Sequence, residues 1–441
     1  MKRLLSLLLC AVLALFCATT AQAAGVSITL TASEYALHYA FDAGAQDPFV
    51  ILEYTTPAEK GWMMLYSADG RFEGDIALAY SGAGGKTSVA LTSARTTGSV
   101  GKASTTLPKA VDYQKPTGKS NAKVMDFVLT ETPEGFHYAF NAAGTDYMLL
   151  YWRSKEQTVT QPVYPDENGH YEGDAVSELT FARTQFTVQV KSGSGSMKKE
   201  ATVRKGYQAP EAPQRQEGRL SGVTVCIDAG HQENGRFVNE PIGPGLTGST
   251  SGKGGMAQGT KTNRRESIVC LEIGMLLRDE LLRQGANVIM TREDQTTFHT
   301  NIERCEIAEA GGAQIMLRLH CNNSSNHSKR GIQVYGPLNS DYAKAVADAD
   351  TYREMGQELL DAMKTRVGMT LANSTGMVRL NDNYVGNNWA KMMCFLVEMG
   401  YLSNPAEEYL LVTPVYQQWL AEGMADGVYE IAVARGWVQA Q

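Results

Sequence analysis

Val223-Thr224-Val225-Cys226-Ile227-Asp228-Ala229-Gly230-His231 reads as a short buried strand whose last residue can bind a metal ion. Two further stretches repeat that plan: Ile315-Met316-Leu317-Arg318-Leu319-His320 and Cys394-Phe395-Leu396-Val397-Glu398. Each is an apolar run rich in β-favouring side chains and bounded by Gly, Asn or Ser, the pattern of a strand covered on both faces. In an open α/β sheet, ligands and chemistry collect beyond the carboxyl ends of the strands. The three strands therefore predict a crevice holding two histidines and a glutamate.

The surrounding sequence from Leu220 alternates strand and helix. A helix is expected from about Arg264 to Arg283, with Ile268, Leu271, Met275, Leu276 and Leu282 on its apolar face and Gly285 as its C-cap. Asn287–Thr291 and Gly331–Tyr335 read as strands, as does Lys391–Glu398. Ile302–Ala310, Tyr352–Arg366 and Tyr416–Ala434 read as helices. This order predicts a three-layer α/β domain with a mainly parallel sheet over residues 220–437.

The first half differs. Lys2 and Arg3 precede an apolar run from Leu4 to Phe16 and a small-x-small stretch, Ala21-Gln22-Ala23, so residues 1–23 read as a signal peptide. No other run approaches the roughly 18 apolar residues of a membrane helix, so no stable membrane anchor is expected. Residues 25–206 hold a repeat with a constant offset of 99: His38-Tyr39-Ala40-Phe41 returns as His137-Tyr138-Ala139-Phe140, and Phe72-Glu73-Gly74-Asp75 as Tyr171-Glu172-Gly173-Asp174. Short β-favouring runs broken by Gly, Asn, Asp and Pro predict two small all-β modules of an immunoglobulin-like kind, over 25–106 and 122–206. Leu107–Asn121 and Tyr207–Arg219 read as linkers. The repeated His38 and His137 fit strand packing or hydrogen bonding better than a metal site, since no second ligand recurs at ligand spacing. Phe72, Tyr171, Trp62 and Trp152 fit a sandwich core better than sugar stacking.

The formal net charge is −7, which argues against nucleic acid as a partner. Five of the seven cysteines (Cys226, Cys270, Cys305, Cys321 and Cys394) follow residue 220, without CxxC spacing and in apolar contexts. They read as small core hydrophobes rather than as a disulfide framework.

Taken singly, the polar strand-end residues have plain alternatives. His231 suits a turn. Glu266 in Asn263-Arg264-Arg265-Glu266 has the spacing of a capping-box acid. Together they carry more. His231, Glu266 and His320 supply three zinc ligands and leave a fourth tetrahedral position for water, the plan of a catalytic zinc site. Such a zinc lowers the pKa of its water to about 7. Glu398, set in an apolar strand, then suits the role of the unligated carboxylate that moves the proton.

Val223 to about Trp437 resembles the zinc-dependent N-acetylmuramoyl-L-alanine amidases of the bacterial cell wall. The resemblance rests on Ile227-Asp228-Ala229-Gly230-His231, on Glu266, on Leu319-His320-Cys321-Asn322 and on Leu396-Val397-Glu398-Met399-Gly400-Tyr401-Leu402-Ser403-Asn404-Pro405. Met290-Thr291-Arg292 and Ile302-Glu303-Arg304 support it. It implies Zn2+ on His231, Glu266 and His320, Glu398 as general base, and peptidoglycan as substrate. It also implies cleavage between N-acetylmuramic acid and the L-alanine of the stem peptide. The leader predicts a secreted or envelope enzyme, and the tandem modules of residues 25–206 are expected to bind cell wall or an envelope protein. A zinc peptidase cutting within the stem, or a wall-binding protein with a degenerate catalytic domain, are the rival readings. Ala229 and Gln232 replace the family's usual Pro or second Gly, Arg318 stands where many members have Ser, and the long Gln232–Thr262 loop is placed to roof the site. Arg292 and Arg304 suit either substrate contact or holding carboxylates within the fold; His299 and His327 read as surface loop residues.

Overall fold

The computed structural model describes residues 18–22, 26–117, 123–154, 157–176, 185–204, 209–232, 238–250, 255–367 and 377–440. Most of the expected signal peptide lies outside these residues. Ala18–Gln22 within it forms a strand, β1. The chain divides into two compact units, Met1–Tyr207 and Gln208–Gln441.

In the first unit, one copy of the repeat supplies β2 (Ser27–Ala32), β3 (Ala36–Asp42), β4 (Phe49–Thr55), β5 (Glu59–Tyr66), β6 (Arg71–Ala77), β7 (Gly85–Ser93) and β8 (Ser99–Leu107). The other supplies β9 (Val124–Thr132), β10 (Gly135–Ala142), β11 (Met148–Arg153), β12 (Gln157–Val163), β13 (His170–Val176), β14 (Gln185–Lys191) and β15 (Met197–Arg204). Alternation sets the faces: in β4, Val50, Leu52 and Tyr54 are buried while Glu53 and Thr55 are exposed. Each copy has its own core, but the copies do not stand apart as two separate modules. They share one eight-stranded antiparallel sheet, in the order β15-β14-β11-β12-β5-β4-β7-β8. The smaller sheets β1-β2-β3-β6 and β13-β10-β9 complete the two halves. At the seam, Lys60 pairs with Thr158 and Glu59 with Val159, a local two-fold because β5 and β12 are equivalent strands. Gln157 Nε2 donates to Glu59 Oε2 (3.0 Å) and Tyr54 Oη (3.2 Å) beneath it.

The repeated aromatics are core. Phe72, Tyr171 and Trp152 are buried, and Trp62 is only 9% exposed. Phe41 stacks on Phe72 and Phe140 on Tyr171, at 4.8 and 4.5 Å between centroids. The repeated histidines pair with the repeated acids across neighbouring strands, His38 Nδ1 with Asp75 (3.0 Å) and His137 Nδ1 with Asp174 (2.9 Å).

The second unit runs β16 (Thr224–Ala229), α1 (Glu266–Arg283), β17 (Asn287–Met290), α2 (Asn301–Ala310), β18 (Ile315–Asn322), β19 (Gln333–Gly336), α3 (Asp341–Val346), α4 (Ala349–Val367), β20 (Met377–Leu380), α5 (Val385–Trp389), β21 (Met393–Tyr401), α6 (Glu407–Leu411) and α7 (Pro414–Ala434). The strands form one sheet, β17-β16-β18-β21-β19-β20. Its pairings are parallel except β19 against β21, which is antiparallel. α1, α4 and α7 pack together on one face; α2 and α5 cover the other over Cys226, Met316 and Cys394. Each fully buried Val, Leu or Phe side chain contributes about 1.5–3 kcal/mol. The five cysteines of this unit are free and buried.

Parallel register places the polar residues. Arg318 lies beside Asp228 and Leu396, and His320 lies beside Glu398. Because side chains alternate along a strand, Asp228, Arg318, His320 and Glu398 all share one face.

Candidate metal centre

The end of β16 is tightly fitted. A Cβ on Gly230 would come within 2.6 Å of the His320 Cε1, so only glycine lets the two segments approach. His231 follows with φ +58°, a left-handed turn that swings its ring toward β18. Glu266 opens α1 as its first helical residue, and the N-cap, Arg265, makes no side-chain cap bond. The capping-box reading of Glu266 is therefore corrected: its carboxylate points to the histidines. Oε1 lies 2.9 Å from His320 Nδ1 and 3.1 Å from His231 Nε2. It also accepts from the Cys321 N–H (3.1 Å), while Oε2 accepts from the Ala257 N–H (2.7 Å). The genuine capping box belongs to α2, where Thr300 and Glu303 exchange bonds.

Donor atoms of His231, Glu266 and His320 all lie within 4.8 Å of one another, and no other group of three among the described residues meets that condition. Burial pushes the Glu266 carboxyl upward, but its two histidine partners outweigh that and hold it below the ordinary range. Burial depresses His320, which keeps the ring neutral and able to coordinate, although Glu266 opposes the shift. Glu398 is different. Burial first and the Glu266 charge second push it up to about 8. Its Oε2 and the His320 Nε2 are buried without a hydrogen-bond partner. Two neutral-capable imidazoles, one ionised carboxylate and unpartnered buried polar atoms suit a divalent cation of borderline softness. The group lines a cavity of about 340 Å³ that Tyr384, Asn301 and Arg318 also border. Thr250, Gly255 and Ala257 of the long loop line it as well; residues 233–237 and 251–254 of that loop lie outside the described residues.

Beneath the site sits a buried ion cluster. Asp228 receives Arg304, Arg318 Nε (2.9 Å) and Thr291 Oγ1 (2.8 Å). Burial opposes ionisation of Asp228, but the two guanidiniums hold its carboxyl far below the usual range. Arg292 donates to the Ala229, Gly230 and Ser267 carbonyls, so Arg292 and Arg304 brace the turn that carries His231. Neither His299 nor His327 joins the metal group; His327 Nδ1 donates to the Ser403 carbonyl at 2.7 Å. The sequence reading missed Asp228 as an ion-pair centre. The signal was available: an acid inside an apolar strand needs a buried partner.

An α/β unit with a possible His–Glu–His metal site and a carboxyl beside it at the strand ends has the make-up of a hydrolase. Residues 225–430 match the family model for N-acetylmuramoyl-L-alanine amidase. The chain is 26% identical over 231 residues to a germination-specific N-acetylmuramoyl-L-alanine amidase of Bacillus subtilis, covering 49% of this chain and 83% of the relative. It is 27% identical over 218 residues to a probable cell wall amidase, LytH, of Staphylococcus aureus, covering 48% of this chain and 60% of that protein. A solved N-acetylmuramoyl-L-alanine amidase from Clostridium difficile aligns at 24% identity and a TM-score of 0.38, over 48% of this chain and 96% of the other.

Proposed function

We propose that the protein is an exported zinc amidase of peptidoglycan, cutting the amide between the lactyl group of N-acetylmuramic acid and the L-alanine of the stem. The observation that carries the reading is Glu398, whose Oε2 is buried without a hydrogen-bond partner beside three convergent donors. His231, Glu266 and His320 would hold the zinc, whose Lewis acidity brings water to a pKa of about 7 and polarises the scissile carbonyl. Glu398 accepts the proton of the attacking water and returns it to the departing alanine nitrogen. The Glu266 oxygen not facing the histidines is held by the Ala257 N–H, which fixes the ligand's orientation.

Export rests on the Lys2–Ala23 leader pattern, and among the described residues no helix is long and apolar enough to cross a membrane. The N-terminal unit, with its two-sheet, immunoglobulin-like halves, serves to hold the enzyme on the wall. A groove of about 700 Å³ on the shared sheet supports this: Lys60, Lys86 and Lys102 line it against the single acid Glu53, on a chain with net charge −7. Loss of sedimentation with sacculi is expected on deleting residues 25–206.

The decisive experiment digests purified peptidoglycan with and without a chelator and weighs the products. Intact stem peptides with a free alanine amine, lost on chelation, are expected. Fragments cut within the stem point to a zinc peptidase instead, and no products at any zinc concentration point to a wall-binding protein.

A further inference from the structure

Register lays out the outward face of the shared eight-stranded sheet row by row. Alternation sends Val50, Leu52 and Tyr54 of β4 into the core, so Glu53 and Thr55 point the other way. Thr55 pairs with Lys60 of β5 and with Ser88 of β7, and Ser88 pairs with Ser104 of β8. Lys60 in turn pairs with Thr158 of β12, in the other copy of the repeat. Lys86 precedes Ser88 by two residues and Lys102 precedes Ser104 by two, so both share this face. Because β7 and β8 are antiparallel, Lys86 and Lys102 fall on opposite sides of the row. The face is thus a strip of small hydroxyl side chains across five strands, about 19 Å at the ordinary strand spacing, with Lys60 within it and one lysine along each border.

These residues line the groove of about 700 Å³. Among the described residues, no carboxylate or aromatic ring pairs with Lys60, Lys86 or Lys102. Lysines elsewhere do find partners: Lys191 lies over the Tyr151 ring, and Lys391 reaches Glu309 at 2.8 Å. The groove's one acid, Glu53, stands in the next row between Trp62 and Ala90. Ala90 separates it from Lys102, which puts the two side chains two strands apart, about 10 Å at the backbone. The three ammonium groups therefore face solvent over a floor of hydroxyls. A regular sheet holds that floor, so little has to be ordered when an anion binds.

We propose that this groove binds a linear phosphodiester polyanion, a polyol-phosphate chain of the wall, and that this contact holds the N-terminal unit to its substrate. The inference rests on the reading of that unit as a wall anchor. Lys60 and Lys102 stand three strands apart, about 14 Å at the backbone, so the charges follow a track and match a repeating anion better than a single ion. Lysine binds phosphate as a point charge, whereas the arginine fork that fits planar carboxylates is missing from the groove. Thr55, Ser88 and Ser104 lie between the cations and offer hydroxyl donors to phosphate oxygens. Nucleic acid carries the same linkage, but unpaired bases need aromatic faces to stack on. Tyr54 and Trp62, the rings that line the groove, are 2% and 9% exposed. On a chain of net charge −7, a polyanion gains most where local cations outnumber acids.

The test measures anisotropy of labelled probes on the full-length protein at low salt: poly(glycerol phosphate), poly-glutamate and single-stranded DNA, matched in number of charges. The glycerol phosphate chain should bind about threefold or more tighter than either other probe, and less tightly as salt rises. Joint substitution of Lys60→Gln, Lys86→Gln and Lys102→Gln should weaken it about tenfold, near twofold for each exposed contact. Glu53→Gln should tighten it about twofold. The same loss of charge at the exposed Lys123, Lys198 and Lys199 should change it by less than twofold. A groove variant that binds like the wild type, a control variant that weakens as much, or equal binding of poly-glutamate or DNA overturns the proposal. Sedimentation with native sacculi, and with sacculi stripped of phosphodiester polymer by hydrofluoric acid, tests the anchor reading separately. Wild-type protein that sediments equally with both and binds no probe keeps the anchor and loses the groove. Probe binding that the three lysine substitutions abolish, with no sedimentation on either wall, keeps the groove as a polyanion site and removes the anchor.

Discussion

Replacing Glu398 by glutamine separates proton transfer from metal binding. The amide keeps the shape of the side chain, and in the metal-free protein Glu398 is itself neutral below about pH 8. The substitution should therefore neither disturb the fold at neutral pH nor remove zinc, since His231, Glu266 and His320 remain. Wall hydrolysis should fall by roughly two orders of magnitude or more, the size of lost general acid–base help. Stability gives a second readout. The folded carboxyl titrates near 8 against an ordinary 4.5, so between those values the folded state holds a proton that the unfolded chain has released. That contribution is fully present below about pH 4.5 and is lost as pH rises through about 8, at up to about 1.4 kcal/mol per unit. The metal-free variant lacks this slope. Glu407, raised by burial to about 7, adds a slope of the same sign to both proteins and cancels in the comparison. The assay is zinc content, hydrolysis rate and urea unfolding of the metal-free forms from pH 5 to 9. A variant that loses its zinc, keeps its rate within a few-fold, or shows the wild-type pH slope would refute the assignment.

Three further outcomes are expected. His320→Ala should lower zinc content by weakening the metal itself, with partial recovery of rate in excess zinc; a variant that retains both metal and rate removes His320 from the ligand set. Asp228→Asn should cost about 3–5 kcal/mol in urea unfolding, because two buried guanidiniums lose their shared counter-charge; a cost below about 1 kcal/mol would show that water reaches them. A fragment from Gln208 should fold alone and bind one zinc, and it should be more stable than one begun at Leu220 by about 1–3 kcal/mol. Arg215 and Gln216 bond to the Gly285 and Leu282 carbonyls, and the Pro210 carbonyl accepts from Arg278, contacts that the shorter fragment lacks. Equal midpoints for the two would place the boundary at Leu220.

Local patterns carried much of this structure in the sequence. β16, β18 and β21 follow from apolar runs with no competing signal, and the polar residue at each end is where the run stops. What the sequence concealed came from distant segments. Glu266 has the spacing of a capping acid, and nothing local says that the helix starts at that residue and turns the carboxylate toward two histidines on other strands. The antiparallel β19 and the short β20 carry too few residues to declare a direction. The repeat was plain from its constant offset, yet the pairing of β5 with β12 is a choice between edges that identical patterns cannot express. The aromatic positions were read correctly as core because their β-strands alternate, and alternation is local.

The geometry also divides responsibility within the site. Strand register sets His320 beside Glu398, and slipping β18 against β21 by one residue would turn one of them to the opposite face. Gly230 and the Arg304–Asp228–Arg318 cluster fix how closely His231 approaches, so the donor set is built from sheet and buried ions rather than from flexible connections. Loop residues laid over that frame border the metal cavity and the cavity that shares Asn322 and Asn323 with it: Thr250, Gly255 and Ala257 on one side, Asn323, Ser324 and Lys329 on the other. Substitutions confined to those loops should thus change which stems are cut while leaving zinc content untouched. Substitutions at Asp228 or Gly230 should do the reverse, weakening metal binding and rate on every substrate by the same factor. Parallel measurement of zinc content and of the relative rates on two different stems across one variant from each group tests that division. A loop variant that sheds its zinc, or an Asp228 variant that alters only selectivity, would show the frame and the loops to be coupled.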